Sequence, residues 1–98
     1  MYLLILGYWV YLLMKMRNKV TIVIPAFNEE KTIAEIIKSV KPYADDILVV
    51  SAKKSTDNTK EIAESLGVSV VTDNGIGKGE AIRVAINLID NGIIVFID

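Results

Sequence analysis

The sequence predicts an α/β fold with an open parallel sheet, ordered β-α-β-α-β-α-β, and three observations carry that prediction. Short runs rich in β-branched and aliphatic residues recur four times, at residues 20–24, 47–50, 68–72 and 93–97. The stretches between them place apolar residues at helical spacing. The connectors are short, so each strand–helix–strand unit is a right-handed crossover between parallel strands.

The first strand, residues 20–24, is an unbroken apolar run of the kind buried parallel strands have, and Pro25 is expected to stop it. Residues 30–40 are expected to form a helix, with Ile33, Ile36, Ile37 and Val40 at i, i+3, i+4 and i+7. Pro42 prevents its continuation. The turn Asp45-Asp46 precedes the second strand. Residues 56–66 form the next helix, which Gly67 caps. The third strand is followed by the glycine-rich loop 73–78. A helix over 79–89 then turns Ala81, Ile82, Ala85, Ile86 and Ile89 to one side. Asn91-Gly92 ends it, and Asp98 closes the fourth strand.

Residues 1–17 read differently. Met1 to Met14 carries no charge and is apolar all round, so a hydrophobic N-terminal helix is expected rather than an amphipathic one. Its fourteen residues fall short of the roughly 20 that span a hydrocarbon core. A basic lead-in and a small-residue cleavage site are absent, which argues against a secretory signal. Lys15, Arg17 and Lys19 follow the run. If it inserts, they place the rest of the chain, residues 18–98, on the cytoplasmic side of a membrane. The expectation is membrane contact through residues 1–16. The alternative is a hydrophobic arm packed on another subunit or on a further part of the same protein.

Composition narrows the chemistry. The net charge of −1 gives no basic field for nucleic acid. Without cysteine there is neither a disulfide scaffold nor a thiolate metal site. Without histidine the commonest general base and metal ligand are both missing. A metal here is therefore a hard ion held by oxygen, Mg²⁺ or Mn²⁺ in type.

Four loops fall on one edge of the sheet, at the carboxyl ends of the strands, where open α/β sheets bind ligands. In Pro25-Ala26-Phe27-Asn28-Glu29-Glu30, Asn28 and the two acids suit a capped helix start that leaves Phe27 without a role; the alternative is that Phe27 or Glu29 lines a pocket at the strand end. In the loop 51–59, Ser55 or Thr56 is expected to cap the next helix. Lys53 and Lys54 are either a solvated pair or a phosphate contact. The loop 73–79 lacks the P-loop and dinucleotide spacings, yet Lys78 at a helix N-terminus suits an anion. Asp98, just past an apolar strand, sits where a divalent ion can be held.

In this order and spacing the four motifs resemble the family 2 glycosyltransferases, in particular those similar to polyprenyl-phosphate sugar synthases. The resemblance rests on residues 20–30, on 47–50 followed by Ser-Thr-Asp-Asn-Thr at 55–59, on 77–83, and on Ile-Val-Phe-Ile-Asp at 94–98. It implies the Rossmann-like, GT-A nucleotide-binding half of such an enzyme, a UDP- or GDP-sugar donor and a divalent cation. It also implies an acceptor such as a polyprenyl phosphate. By resemblance Pro25, Ala26, Phe27 and Glu29 contact the nucleotide and Lys78 lies near the donor. Asp98 is the first acid of the Asp-x-Asp motif that holds metal and diphosphate. The resemblance leaves the catalytic base unassigned.

Two departures stand out. The family's acid after the second strand is replaced by Ser51-Ala52-Lys53-Lys54, one residue longer, so the base-reading group is not carried over. The second acid of Asp-x-Asp would follow residue 98. A nucleotidyltransferase is disfavoured because no glycine-rich loop follows the first strand. A non-catalytic, membrane-associated nucleotide-binding module is the alternative function.

Overall fold

The computed structural model describes residues 7–10, 19–76, 79–89 and 92–97. Four parallel strands form one sheet: β1 (Val20–Ala26), β2 (Asp46–Ser51), β3 (Ser69–Thr72) and β4 (Ile93–Phe96). Helices α1 (Ile33–Val40), α2 (Thr59–Ser65) and α3 (Gly79–Leu88) alternate with them. The expected β-α-β-α-β-α-β order is present. Residues 7–10 make a helical turn with Tyr8, Trp9 and Val10 exposed, and the rest of the expected N-terminal helix lies outside the described residues. Among the described residues no helix is long and apolar enough to cross a membrane.

The strand order is β3-β2-β1-β4. The chain winds outward from β1 through β2 to β3, then crosses back over the sheet to place β4 on the other side of β1. Strand alternation sorts the side chains to two faces. Ile22, Ile24, Ile47 and Val49 pack with Ile33 and Ile37 of α1 and Ala63 of α2. Val23, Leu48 and Val50 pack with Ala81 and Ala85 of α3. Ile33, Ile37, Val23, Val49 and Val50 are fully buried, each worth about 1.5–3 kcal/mol relative to exposure. Glycine closes α2 as expected: Gly67 takes φ +79° and donates its N–H to the Glu64 carbonyl at 3.0 Å.

Local boundaries differ from the sequence reading for physical reasons. β1 passes through Pro25 and ends at Ala26. The Val23 carbonyl faces β4, accepting the Ile97 N–H at 3.0 Å, and the Ala26 carbonyl faces β2, accepting the Ala52 N–H at 2.8 Å. The Pro25 nitrogen therefore faces the β4 side, beyond the last β1–β4 pair, Val23–Phe96, where no ladder donor is needed. α1 begins at Ile33 rather than residue 30, and α2 at Thr59 rather than residue 56. The residues expected to open these helices are engaged elsewhere. Pro42 acts as expected: α1 ends at Val40 and a single 3₁₀ turn, Lys41–Tyr43, follows it.

Candidate functional site

The reversal of strand order between β1 and β4 leaves a crevice at their carboxyl ends, the position at which doubly wound sheets bind ligands. A cleft of about 630 Å³ occupies it, within the range of small-molecule sites. Pro25, Ala26, Phe27 and Glu29 form one wall; Ala52 and Lys54 continue it from β2. Asp73, Gly75 and Ile76 come from the loop after β3, Ala81 and Ile82 from the start of α3, and Phe96 and Ile97 from the end of β4. The structure thus gathers all four strand ends around one space. Four of the residues singled out in the sequence, Pro25, Ala26, Phe27 and Glu29, line it. Lys78 and Asp98 lie outside the described residues; Ile97, which precedes Asp98 in the chain, lines the cleft.

The corner after β1 is held by the loop after β2. Asn28 adopts φ +50°, a left-handed conformation that asparagine tolerates better than most residues. Its Oδ1 accepts the Thr56 N–H at 2.8 Å and its own N–H donates to Ser55 Oγ at 3.0 Å. Asn28 is therefore not the cap of α1, and Ser55 and Thr56 do not cap α2, since these groups bond to each other across the two loops. Neither helix has a side-chain hydrogen bond at its N-cap residue, Thr32 for α1 and Asn58 for α2.

Two further bonds complete the tie. Glu29 donates its N–H to Thr59 Oγ1 at 2.8 Å, and that hydroxyl donates in turn to Asp57 Oδ1. Glu30 and the second loop exchange bonds reciprocally: the Glu30 N–H reaches Asp57 Oδ2 at 3.1 Å, and the Asn58 N–H reaches Glu30 Oε2 at 3.2 Å. Thr59 is fully buried and both functions of its hydroxyl are satisfied. Partial desolvation of the Asp57 carboxyl works to raise its pKa. The hydroxyl and N–H of Thr59, the Glu30 N–H and the Ser55 hydroxyl outweigh it, so Asp57 titrates below its ordinary value.

Asp73 ties the next pair of loops. Its Oδ1 accepts the Lys53 N–H and the Gly75 N–H, each at 2.9 Å, and its own N–H donates to the Ser51 carbonyl at 3.0 Å. Gly75 takes φ +79°, the conformation that lets this turn close. Sequence reasoning did not single out Asp73 as a site residue. The available signal was its place as the acid immediately after a third strand whose carboxyl end shares an edge with the other motifs.

At the start of α3, Glu80 is buried and its carboxylate takes a forked pair from Arg83, with Nε to Oε2 at 3.1 Å and Nη2 to Oε1. The hydrogen bonds and then the charge of Glu80 raise the Arg83 pKa. This pair fixes the first turn of the helix beside Ala81 and Ile82. Among the described residues no three Asp or Glu side chains gather as a metal cluster. The chain's ligand chemistry is that of oxygen donors alone, which suits Mg²⁺ or Mn²⁺.

Comparison with known proteins agrees with this architecture. A glucosyl-3-phosphoglycerate synthase from Mycobacterium tuberculosis, solved with Mn²⁺, UDP and phosphoglyceric acid, superposes with a TM-score of 0.75 at 33% identity, over 87% of this chain and 34% of that one. The same enzyme has been solved with Mg²⁺ and UDP. The curated sequence of that synthase is 36% identical over 95 residues, covering 86% of this chain and 29% of its own length. Glycosyltransferase AglJ of Haloferax volcanii is 39% identical over 69 residues, 70% of this chain and 23% of AglJ. The chain thus spans about a third or less of the length of these relatives. Over residues 21–98 it matches the family model for glycosyl transferase family 2. With the GT-A sheet order and its cleft already in place, the chain belongs to glycosyl transferase family 2.

Proposed function

We propose that residues 18–98 form the donor-binding half of a glycosyltransferase that moves a sugar from a nucleoside diphosphate sugar. The observation that carries this reading is the cleft at the β1–β4 switch point, walled by Pro25, Ala26, Phe27 and Glu29. The glucosyl-3-phosphoglycerate synthase of the same family has been solved in complex with UDP and Mn²⁺ or Mg²⁺, which supports UDP as the nucleotide. In this reading the cleft wall holds the nucleoside, Lys78 lies near the diphosphate, and Asp98 contributes an oxygen ligand to the cation. When bound, the cation supplies charge stabilisation to the departing diphosphate. Calorimetric titration of the chain with UDP, with Mn²⁺ present and after chelation, tests the reading. Metal-dependent binding is expected. No heat from a chain that is folded by circular dichroism overturns it.

The acceptor in this reading is a polyprenyl phosphate at the cytoplasmic face of a membrane. The uncharged run 1–14, followed by Lys15, Arg17 and Lys19, supports it. Removal of residues 1–16 is expected to move the protein from the membrane fraction to the soluble one, and an unchanged distribution refutes the membrane contact.

A further inference from the structure

The cleft carries one carboxylate that is prepared for a ligand on one side only. Asp73 lines it, and Oδ1 is already committed to two backbone donors, Lys53 and Gly75. A carboxylate oxygen offers about two acceptor sites, so Oδ1 is filled. Oδ2 accepts no hydrogen bond among the described residues. The two loops it joins cannot release it without losing both bonds. It is thus a rigid acceptor at the β3 end of the cleft, away from the β4 end that leads into Asp98.

Resting on the donor-site reading above, we propose that Asp73 reads the nucleobase through Oδ2, accepting a single ring N–H. This assigns the base-reading acid to the loop after β3, since Ser51 ends β2, Ala52, Lys53 and Lys54 follow it, and the acid further along that loop, Asp57, is engaged by Thr59 and the Glu30 N–H. A single available acceptor matches an imide edge, one N–H between two carbonyls, as in uracil. The Watson–Crick edge of guanine presents two adjacent donors and is served best by both oxygens of a carboxylate, one of which is taken here. Cytosine presents an acceptor at the same ring position and is repelled. Asp73 is a specificity-determining residue in this account, and the predicted order is UDP over GDP, with CDP weakest.

Asp73→Asn tests it cleanly. The amide oxygen stays toward the Lys53 and Gly75 N–H groups, because a flipped amide would oppose donors with donors, so the loop tie survives. Only Oδ2 changes, from acceptor to donor. UDP, N3-methyl-UDP, GDP and CDP are titrated with Mn²⁺ against both proteins. The natural chain is expected to prefer UDP to N3-methyl-UDP and to CDP by roughly 10- to 100-fold, the worth of a hydrogen bond to a charged acceptor. The variant is expected to lose UDP affinity by a similar factor and to gain on CDP. Equal losses for all four nucleotides, or unchanged UDP binding by the variant, overturn the assignment while leaving the donor site standing. Failure of the natural chain to bind any of them overturns the donor site itself, and this inference with it.

Discussion

Thr56 donates its backbone N–H to Asn28 Oδ1 at 2.8 Å, joining two loops that are 28 residues apart in sequence. The bond fixes the direction in which Pro25, Ala26 and Phe27 leave the sheet. The wall of the cleft is thus positioned by a loop that contributes only Lys54 and Ala52 to its lining.

Replacing Asn28 with alanine removes that acceptor and forces a Cβ-bearing residue without a local polar partner into φ +50°. A loss of about 2 kcal/mol is expected, with glycine at the same site costing about half as much because it keeps the backbone conformation. In a domain of this size the alanine variant should lower the thermal midpoint by roughly 8–16 °C. Equal midpoints for the alanine and glycine variants would show that φ contributes nothing.

Asp57 sets an acid limit on the same corner. Its folded pKa lies below its ordinary 3.8, so its stabilising effect is complete above that value. The effect is lost as pH falls through the lower, folded value. Urea midpoints followed from about pH 6 down to pH 2.5 should therefore drop more steeply for the natural chain than for Asp57→Asn. The variant should already be weaker at neutral pH. Parallel curves would assign the acid sensitivity to other carboxylates.

Gly92 stands where no other residue fits. It has φ +88°, and a Cβ built there meets the Lys19 carbonyl oxygen at 2.5 Å. That carbonyl accepts the Ile93 N–H at 2.8 Å, the first bond between β1 and β4. Gly92→Ala should cost about 1–3 kcal/mol and speed hydrogen exchange at Ile93 before any other strand amide. Protection at Ile93 equal to that of the natural chain would refute the close approach.

Phe27 and Ile37 separate binding from folding. Phe27 is 54% exposed and on the cleft wall, whereas Ile37 is 1% exposed on the buried face of α1. Phe27→Ala should leave stability within about 0.5 kcal/mol and weaken UDP binding several-fold. Ile37→Ala should cost about 2–5 kcal/mol while the folded fraction binds UDP normally. A Phe27→Ala chain that binds UDP as the natural chain does removes that side chain from the site.

The strands and the later helix were legible because their apolar spacing is local. The runs at 20–24, 47–50 and 93–97 each land on a strand, and α3 starts at Gly79 as its pattern indicates. What misled was polar residues near helix starts. Asn28, Ser55 and Thr56 have the composition of caps, and nothing within a few residues of any of them reveals that they bond to one another across the sheet edge. Asp73 escaped notice for the same reason, since its partners, the N–H groups of Lys53 and Gly75, are backbone groups with no signature in the side-chain sequence. The place of β1 in the middle of the sheet is likewise set by pairing, as is its passage through Pro25.

Because β1 lies between β2 and β4, its two flanks are completed at opposite ends of the chain's history. Val20 meets Ile93 only after α3 has crossed the sheet, and until then the flank that carries the Val23 carbonyl stays open. During synthesis the crevice has one wall early and its opposite wall last. A ligand that bridges Phe27 and Phe96 therefore binds only the finished sheet and favours it by mass action. In the proposed donor site, bound nucleotide would thus act on this domain first as a folding partner.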